Sequence, residues 1–403
     1  MNLIKAWNNL SLITRILIGF AVGVCLALLF PKASAIGVLG KVFVSCLKAI
    51  APVLVGLLVT ASIAKAREGY GPRFRSIVVL YLATTLAAAI ISVAGSFLFP
   101  VTLKLSEATA SSAPSSLGDV FSNLLTSIVT NPIKALAEAN YIAVLFWAIL
   151  LGIALKKLGG EGTISVISDL ADACSELVRL IIQFAPLGIL GLVYSAVADN
   201  GLSIFADYGK LLMLLVGCML LTALVLNPAI VAAMLRRNPY PLVFKCLKDS
   251  GVSAFFTRSS AANIPVNMDL CRRMGVDEGF YSVSIPLGAT VNMNGAAVTI
   301  TVMTLAMCNT LGVEVGVGSA IILSIVATLG ACGSSGVAGG SLLLIPMACS
   351  LFGISQDISM QAVSIGFIIG VIQDSVETAL NSSGDALFTI AVDQRNKQRD
   401  KAK

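Results

Sequence analysis

The sequence of 403 residues contains no histidine. Histidine is the commonest metal ligand of proteins and the side chain that most readily exchanges protons near neutral pH. Its absence excludes a Ser-His-Asp triad, a histidine proton relay and a histidine-ligated metal. The segment Gly333-Ser334-Ser335-Gly336 matches the G-x-S-G of intramembrane serine proteases, but the base that such an enzyme needs is missing.

Charge is also scarce, because 12% of the residues are charged and 57% are hydrophobic. A soluble domain has about 25% charged residues. These proportions indicate a polytopic membrane protein. The net charge of +6 comes from basic residues that lie mostly in short clusters between apolar runs, the distribution that orients a membrane protein. We therefore expect the lipid bilayer as a partner and no nucleic acid.

Several catalytic and ligand motifs are missing as well. The nine cysteines include no C-x-x-C pair and no metal-ligand spacing, so neither a disulfide framework nor a metal site is supported. No G-x-x-x-x-G-K-[ST] occurs, so any solute movement would need an ion gradient and not ATP. Ser383-Gly384-Asp385 falls short of the G-x-G-D of intramembrane aspartyl proteases because residue 382 is serine. We expect no enzyme.

Eight apolar runs are long enough to cross a bilayer, which takes about 20 helical residues. The predicted spans cover residues 12–30, 42–64, 76–101, a fourth run made of pieces around 124 and 141–155 and broken near 131–132, then 177–198, 211–235, 279–309 and 360–392. Basic clusters follow spans two, four and six, and the tail 393–403 is basic, so both termini are predicted to be cytoplasmic. Ala33-Ser34-Ala35 imitates a signal-peptidase site, but the length of the first run favours an uncleaved span.

Two segments are too polar and too interrupted for spanning helices. Residues 241–270 contain Ser259-Ser260 followed by Pro265, and residues 319–352 contain Ser334-Ser335 followed by several glycines and Pro346. Each is predicted to be a re-entrant hairpin, two half-helices that meet at a non-helical tip inside protein or a water-filled cavity. For the second segment, a glycine-rich helix packed through small residues remains the alternative.

The seventh and eighth predicted spans carry unusual polar residues. Asn292-Met293-Asn294-Gly295 interrupts an uncharged run, and a local unwinding there would free carbonyl oxygens that bind cations. In the eighth span, a sector of about 60° holds four polar residues, Asp374, Thr378, Asn381 and Asp385. A carboxylate inside a membrane costs several kcal/mol, so the two aspartates predict a solute or ion site. Ser382 and Ser383 fit a polar seam between packed helices equally well.

Four motifs stand in the same order as in a known family: Thr257-Arg258-Ser259-Ser260, Asn292-Met293-Asn294-Gly295, Gly336-Val337-Ala338-Gly339-Gly340 and Asn381-Ser382-Ser383-Gly384-Asp385. The chain resembles, over its whole length, the dicarboxylate/amino acid:cation symporters, which are glutamate-transporter-like proteins. The resemblance implies a homotrimer in which a static scaffold holds three transport domains that move as elevators. Residues 1–240 would be mainly scaffold, with spans 3 and 6 joining the transport domain. Residues 241–392 would form the transport core, and residues 393–403 a basic cytoplasmic tail. The protein would lie in the inner membrane of a bacterium.

The resemblance also implies the functional residues. Sodium would bind among Asp385, Asn381, Asn292 and the carbonyl of Gly288, with a second ion near Thr290, Ser334 and the backbone of the second hairpin. The amine of an amino acid would lie on Asp374, and its carboxylate on Asn381 and the hairpin amides. The rest of the predicted lining is Arg258, Ser259, Ser260, Val337, Gly339, Glu377 and Thr378.

Two departures from the family pattern bear on specificity. Glu377 replaces the arginine that grips an acidic side chain, and we expect Arg258 to pair with Glu377 or Asp374, which leaves no net positive charge for such a substrate. Asn294 replaces the aspartate of N-M-D-G, so we expect fewer coupled sodium ions. The predicted function is sodium-coupled symport of small neutral hydroxy amino acids, serine and threonine. A channel lined by the polar helix is the rival interpretation.

Overall fold

The computed structural model describes residues 10–65, 71–105, 128–334 and 339–401. Their regular structure is helical without a strand, which confirms the predicted all-α class. The α-helices are Leu12–Leu29, Gly37–Lys65, Gly71–Leu98, Pro132–Ala137, Tyr141–Leu158, Glu161–Gln183, Ala185–Asn200, Ile204–Leu221, Asn227–Leu235, Tyr240–Cys246, Val252–Thr257, Ile264–Arg273, Glu278–Val291, Asn294–Leu311, Val317–Ala331, Ile345–Ser350 and Gln356–Lys401.

Within the described residues, six helical segments are long and apolar enough to cross a membrane. They are Leu12–Leu29, Ser34–Lys65, Arg73–Leu98, Ile204–Leu235, Glu278–Leu311 and Gln356–Arg399. A seventh results if the bent pair Glu161–Gln183 and Ala185–Asn200 is one span. Tyr141–Leu158, 18 residues long, lies where the second piece of the fourth span was predicted, and the piece around residue 124 lies outside the described residues. The count of eight spans stays a prediction.

The fifth predicted span, residues 177–198, does not form one straight helix. Its two halves meet at an angle of 57° around Phe184. Pro186 stands in the first turn of the second half, where its missing N–H is tolerated because the first amides of a helix have no partner within the helix. Proline thus begins a new helix in a new direction, a break that hydrophobicity alone does not reveal.

The span containing Asn292 is broken, as predicted, but over a shorter stretch. Only Asn292 and Met293 leave the helical conformation between Glu278–Val291 and Asn294–Leu311. Asn294 and Gly295 belong to the first turn of the second half. We call these two helices the broken helix.

Both predicted hairpins consist of helical arms around a non-helical tip. In the first hairpin, Tyr240–Thr257 and Ile264–Arg273 are joined through Arg258, whose left-handed backbone (φ 53°) ends the first arm. In the second hairpin, Val317–Ala331 and Ser341–Ser350 are separated by residues that include the non-helical 332–334. A continuous glycine-rich helix is therefore excluded for the second segment.

By their contacts the helices form two groups. Leu12–Leu29 and Gly37–Lys65 pack against the helices between residues 141 and 200. Close approach needs glycine here, because a Cβ at Gly19 would lie 2.2 Å from the Pro186 carbonyl oxygen. The second group surrounds Gln356–Lys401, hereafter the C-terminal helix, with the broken helix, both hairpins and the helices Gly71–Leu98 and Ile204–Leu235.

Candidate functional site

The polar face of the C-terminal helix points into the protein. Asp374, Thr378, Asn381 and Asp385 are each at most 5% exposed, whereas Ile372 is 49% exposed. The helical period that groups the four polar residues therefore turns them toward the surrounding elements and leaves an apolar side chain outside. The predicted protected interior is present.

Arg258 and Asp374 form an ion pair between the first hairpin and the C-terminal helix. The Arg258 Nε atom lies 2.7 Å from Asp374 Oδ2, and the two side chains are 10% and 3% exposed. One of the two pairings expected for Arg258 is thus the one observed. Near the pair, the Thr378 hydroxyl donates to the Asp374 backbone carbonyl at 2.7 Å.

Asn292, in the break of the broken helix, is hydrogen-bonded to the C-terminal helix at two points. Its Nδ2 atom donates to Asp385 Oδ1 at 2.9 Å and to the Asn381 backbone carbonyl at 3.1 Å. One turn away, the Gly295 backbone N–H donates to Asn381 Oδ1 at 2.7 Å. The Asn292 side chain thus presents its nitrogen to Asp385, while its Oδ1 atom lies 3.5 Å from the Thr84 hydroxyl.

The carboxylate of Asp385 lies against the backbone of the broken helix. A Cβ at Gly288 would be 2.8 Å from Asp385 Oδ1, so only glycine leaves room there. Asp385 Oδ2 is buried and has no hydrogen-bond partner within the described residues. A buried carboxylate oxygen without a donor is neutralised by a bound cation or by a proton. With the nearby Asn381 carbonyl, which shares Asn292 Nδ2 with Asp385 Oδ1, the carboxylate offers oxygen ligands of the kind that suit Na⁺.

Tyr81 is a neighbour of this region that the sequence did not indicate. Its hydroxyl lies within hydrogen-bonding distance of three oxygens, the carbonyls of Ser284 (3.2 Å) and Asp385 (3.3 Å) and the hydroxyl of Thr389 (3.1 Å). Tyr81 comes from Gly71–Leu98, and the only signal in the sequence was that it is a polar residue in an uncharged run. Tyr81 thus joins Gly71–Leu98 to the broken helix and to the C-terminal helix.

Asn294 lies in a polar cluster with Thr84 and Thr85. Its Oδ1 atom accepts hydrogen bonds from the hydroxyls of Thr85 (2.9 Å) and Thr84 (3.3 Å). Its Nδ2 atom is buried without a hydrogen-bond partner among the described residues. An amide nitrogen repels a cation where a carboxylate would attract one, and the reduced sodium count stays a prediction.

Glu377 is held by hydrogen bonds from three directions. Its Oε2 atom accepts from the hydroxyls of Thr299 (2.6 Å) and Ser341 (2.9 Å) and from Gln373 Nε2 (2.6 Å). Sequence reasoning missed all three partners. Only Gln373, one helical turn before Glu377, carried a local signal.

Ser382 belongs to the polar seam that the sequence left open. Its Oγ atom accepts hydrogen bonds from Asn263 Nδ2 (2.8 Å) and Asn267 Nδ2 (3.0 Å), both in the first hairpin. Ser383 donates to the Ala379 carbonyl of its own helix at 2.6 Å. Ser382 therefore joins the C-terminal helix to the first hairpin, whereas Ser383 bonds within its own helix. At the tip of the first hairpin, Ser260 is buried and Ser259 accepts from the Ala262 N–H at 3.2 Å.

The predicted second ion site is only partly described. Thr290 donates to the Leu287 carbonyl of its own helix at 2.9 Å. Cys332 Sγ contacts the Val291 carbonyl oxygen at 3.5 Å, which brings the second hairpin to the end of the first half of the broken helix. Ser334 is buried, and Gly339 has φ 72°, a conformation that favours glycine. Val337 lies outside the described residues.

The sequence profile of the Sodium:dicarboxylate symporter family matches residues 12–395. The chain belongs to this family. Proteins named serine/threonine transporter SstT are among its relatives. The one from Bifidobacterium adolescentis is 55% identical over 383 residues, which cover 95% of this chain and 89% of the relative. Those from Streptococcus agalactiae and Streptococcus thermophilus are 54% and 55% identical over 393 residues, 97% of this chain and 98% of each relative.

Membership of the symporter family agrees with the geometry of the site. The described hydrogen bonds attach the broken helix and both hairpins to buried polar residues of the C-terminal helix, and paired interrupted helices of this kind mark the binding site of secondary transporters. The family resemblance and the absence of enzymatic function expected from the sequence are confirmed, since the relatives are named transporters.

Proposed function

We propose that this chain is a sodium-coupled symporter that imports small neutral hydroxy amino acids, serine and threonine. The observation that carries this proposal is the buried Asp385 carboxylate, which is bonded to Asn292 on one oxygen and has no hydrogen-bond partner for the other within the described residues. The names of relatives at 54% and 55% identity point to the substrates.

Sodium would be held by the Asp385 carboxylate together with backbone carbonyls of Gly288, Asn292 and Asn381. The bound ion would supply positive charge to a buried anion and so link occupation of the site to the closing of the elements around it. Asn292 positions these groups, because its side chain bonds to both Asp385 and the Asn381 backbone. A second ion near Thr290, Ser334 and the second hairpin belongs to the same proposal.

The amino acid would lie between the hairpin tips and the C-terminal helix. Asp374 would receive its amine through Oδ1, since Arg258 is on Oδ2, and Asn381 and the hairpin amides would bind its carboxylate. Ser259, Ser260 and Thr378 would offer partners for a hydroxyl, with Val337 and Gly339 closing the site. Glu377 also belongs to the predicted lining, but its Oε2 atom accepts hydrogen bonds from Thr299, Ser341 and Gln373.

Specificity for neutral substrates follows from the ion pair of Arg258. The arginine is almost fully buried against Asp374, so its charge is already balanced and does not favour a second substrate carboxylate. Removing it from Asp374 would leave a buried charge unpaired, which costs about 3–5 kcal/mol. A small side chain with a hydroxyl avoids that cost.

The two groups of helices support a scaffold and a moving transport domain. The first group, with spans one, two, four and five, would be the scaffold. The second, with spans three and six, both hairpins and residues 279–392, would carry the site across the membrane as an elevator. The proposal includes a homotrimer in a bacterial inner membrane, with eight spans and both termini cytoplasmic.

Uptake by purified protein in liposomes tests the function. Labelled serine should accumulate when sodium is high outside and should equilibrate when sodium is equal on both sides. Unlabelled threonine should compete strongly, alanine more weakly, and aspartate and glutamate little at neutral pH. Ion conduction without saturable serine uptake would support the channel interpretation, and competition by aspartate equal to that by threonine would refute the substrate assignment.

A further inference from the structure

The two hairpins are attached to the C-terminal helix in different ways. In the first hairpin, Asn263 and Asn267 bond to Ser382, and the arms are joined by the ion pair of Arg273 with Asp249 at 3.2 Å. The second hairpin, residues 317–350, contains no charged residue. Its arm Ser341–Ser350 is joined to the C-terminal helix through the hydrogen bond from Ser341 to Glu377.

Glu377 connects three elements at one atom. Its Oε2 accepts from Ser341 of the second hairpin, from Thr299 of the broken helix and from Gln373 of its own helix. Hydrogen bonds to a carboxylate are stronger than those between neutral groups. The residue is 5% exposed, so water competes little for these bonds.

The backbone around Glu377 is packed as closely as its side chain. A Cβ at Gly295 would lie 2.9 Å from the Glu377 Cα and Cγ atoms. Three donors on one oxygen and a glycine against the chain keep the carboxylate between the second hairpin and the broken helix. Its observed contacts are thus with protein groups that position the site.

We propose that Glu377 is a positioning residue that holds the second hairpin closed over the substrate, and that it acts through Ser341 and Thr299. Ser341 begins the second arm two residues after Gly339, so a bond at Ser341 fixes the start of this arm. The inference rests on the proposed function, because it assumes that the hairpin covers a bound amino acid. It replaces a direct contact of Glu377 with the substrate.

Matched pairs of variants test this role. Ser341→Ala and Thr299→Val each remove one bond to Glu377. Ser324→Ala, in the other arm of the second hairpin, removes a hydroxyl that bonds only the Ala320 carbonyl in the described structure, at 2.9 Å. Thr301→Val, on the same helix as Thr299, removes a buried hydroxyl that has no described partner. Glu377→Gln keeps an acceptor for Ser341.

The first measurement is the serine dissociation constant of purified protein at saturating sodium. Ser341→Ala and Thr299→Val should weaken serine binding about tenfold, and both controls should stay within about twofold. Glu377→Gln should fall between the wild type and Ser341→Ala. The double variant Glu377→Gln/Ser341→Ala should be no weaker than Ser341→Ala by more than about twofold, because the same contact is removed. The ratio of serine to alanine affinity should not change.

The second measurement needs no substrate. Cys332 lies in the second hairpin against Val291, so its alkylation rate, followed by peptide mass spectrometry, reports opening of that hairpin. Ser341→Ala should raise the rate about fivefold or more, while Ser324→Ala and the exposed Cys46 serve as unchanged references. This readout distinguishes failure of the proposed function from failure of the role proposed for Glu377. Absence of sodium-dependent serine binding in the wild type would refute the proposed function. The alkylation rate of Cys332 would still test whether Glu377 holds the second hairpin closed.

Unchanged serine affinity and unchanged Cys332 alkylation in Ser341→Ala would overturn the proposal. So would a change in the serine-to-alanine ratio in Glu377→Gln combined with a silent Ser341→Ala, since that pair of results means direct contact with the substrate. A lower melting temperature with normal affinity and alkylation would show that the bond is structural only, and would refute the positioning role.

Discussion

At Asp385, one carboxylate oxygen accepts a hydrogen bond from Asn292 and the other has no such partner within the described structure. Asp385→Asn keeps the volume of the side chain but removes the negative charge that would balance the ion. We expect sodium-dependent serine uptake to fall by at least a hundredfold, with the protein still folded by its melting temperature. Ser383→Ala, two residues away, removes a bond within the helix and should stay within about twofold. Normal sodium dependence in Asp385→Asn would refute the assignment.

Asp374 is expected to accept hydrogen bonds from both Arg258, on Oδ2, and the substrate amine, on Oδ1. Asp374→Asn leaves a buried arginine without its partner, and removing one member of a buried pair costs about 3–5 kcal/mol. Serine affinity at saturating sodium should therefore drop by more than about a hundredfold. Asp357→Asn at the start of the same helix changes an exposed carboxylate that pairs with Lys48, and should leave affinity within about twofold. Binding near the wild-type value in Asp374→Asn would exclude this role.

At the scale of the element, Asn292 in the break of the broken helix can reach Asp385 only if the first half of that helix lies close to the C-terminal helix. Gly288→Ala places a methyl group 2.8 Å from Asp385 Oδ1 and 2.9 Å from the Tyr81 hydroxyl. The backbone must move away, so the apparent sodium affinity measured from uptake should weaken by at least about tenfold.

The matched control is Gly279→Ala on the same helix, where the nearest atom to the new methyl group is Asp277 Oδ1 at 3.4 Å. It should leave sodium affinity within about twofold, because the contact is near ordinary van der Waals distance. Equal effects of the two substitutions would show that helix propensity matters here and not the approach of Asp385.

For the whole molecule, we expect the buried polar residues to set the number of sodium ions coupled to each serine. With Asn294 bonded to Thr84 and Thr85, we expect fewer coupled sodium ions per serine than in relatives with an aspartate there, and even one ion would suffice. A tenfold gradient contributes about 1.4 kcal/mol and a potential of −100 mV about 2.3 kcal/mol, enough to accumulate a neutral amino acid several hundredfold. Reversal potentials in liposomes measure this ratio, and three sodium ions per serine would contradict it.

Much of the fold could be predicted from the sequence because its signals are local. Long uncharged runs, the proline and glycine interruptions near residues 259 and 334, and the Asn292 break each leave a mark within one segment. Periodicity then showed which face of the C-terminal helix is polar, and burial of Asp374 and Asp385 confirms it. The bend near Phe184 was missed because it changes direction without changing hydrophobicity.

By itself the sequence determined the membrane class, the broken elements and the polar face of the C-terminal helix, since each depends on the order of residues within a segment. Only the tertiary structure decided which polar groups meet. It paired Arg258 with Asp374 and not with Glu377, and it brought Tyr81 beside Asp385 across more than 300 positions. Such pairings depend on how helices far apart in the chain approach one another, and helical period carries no information about distance between helices.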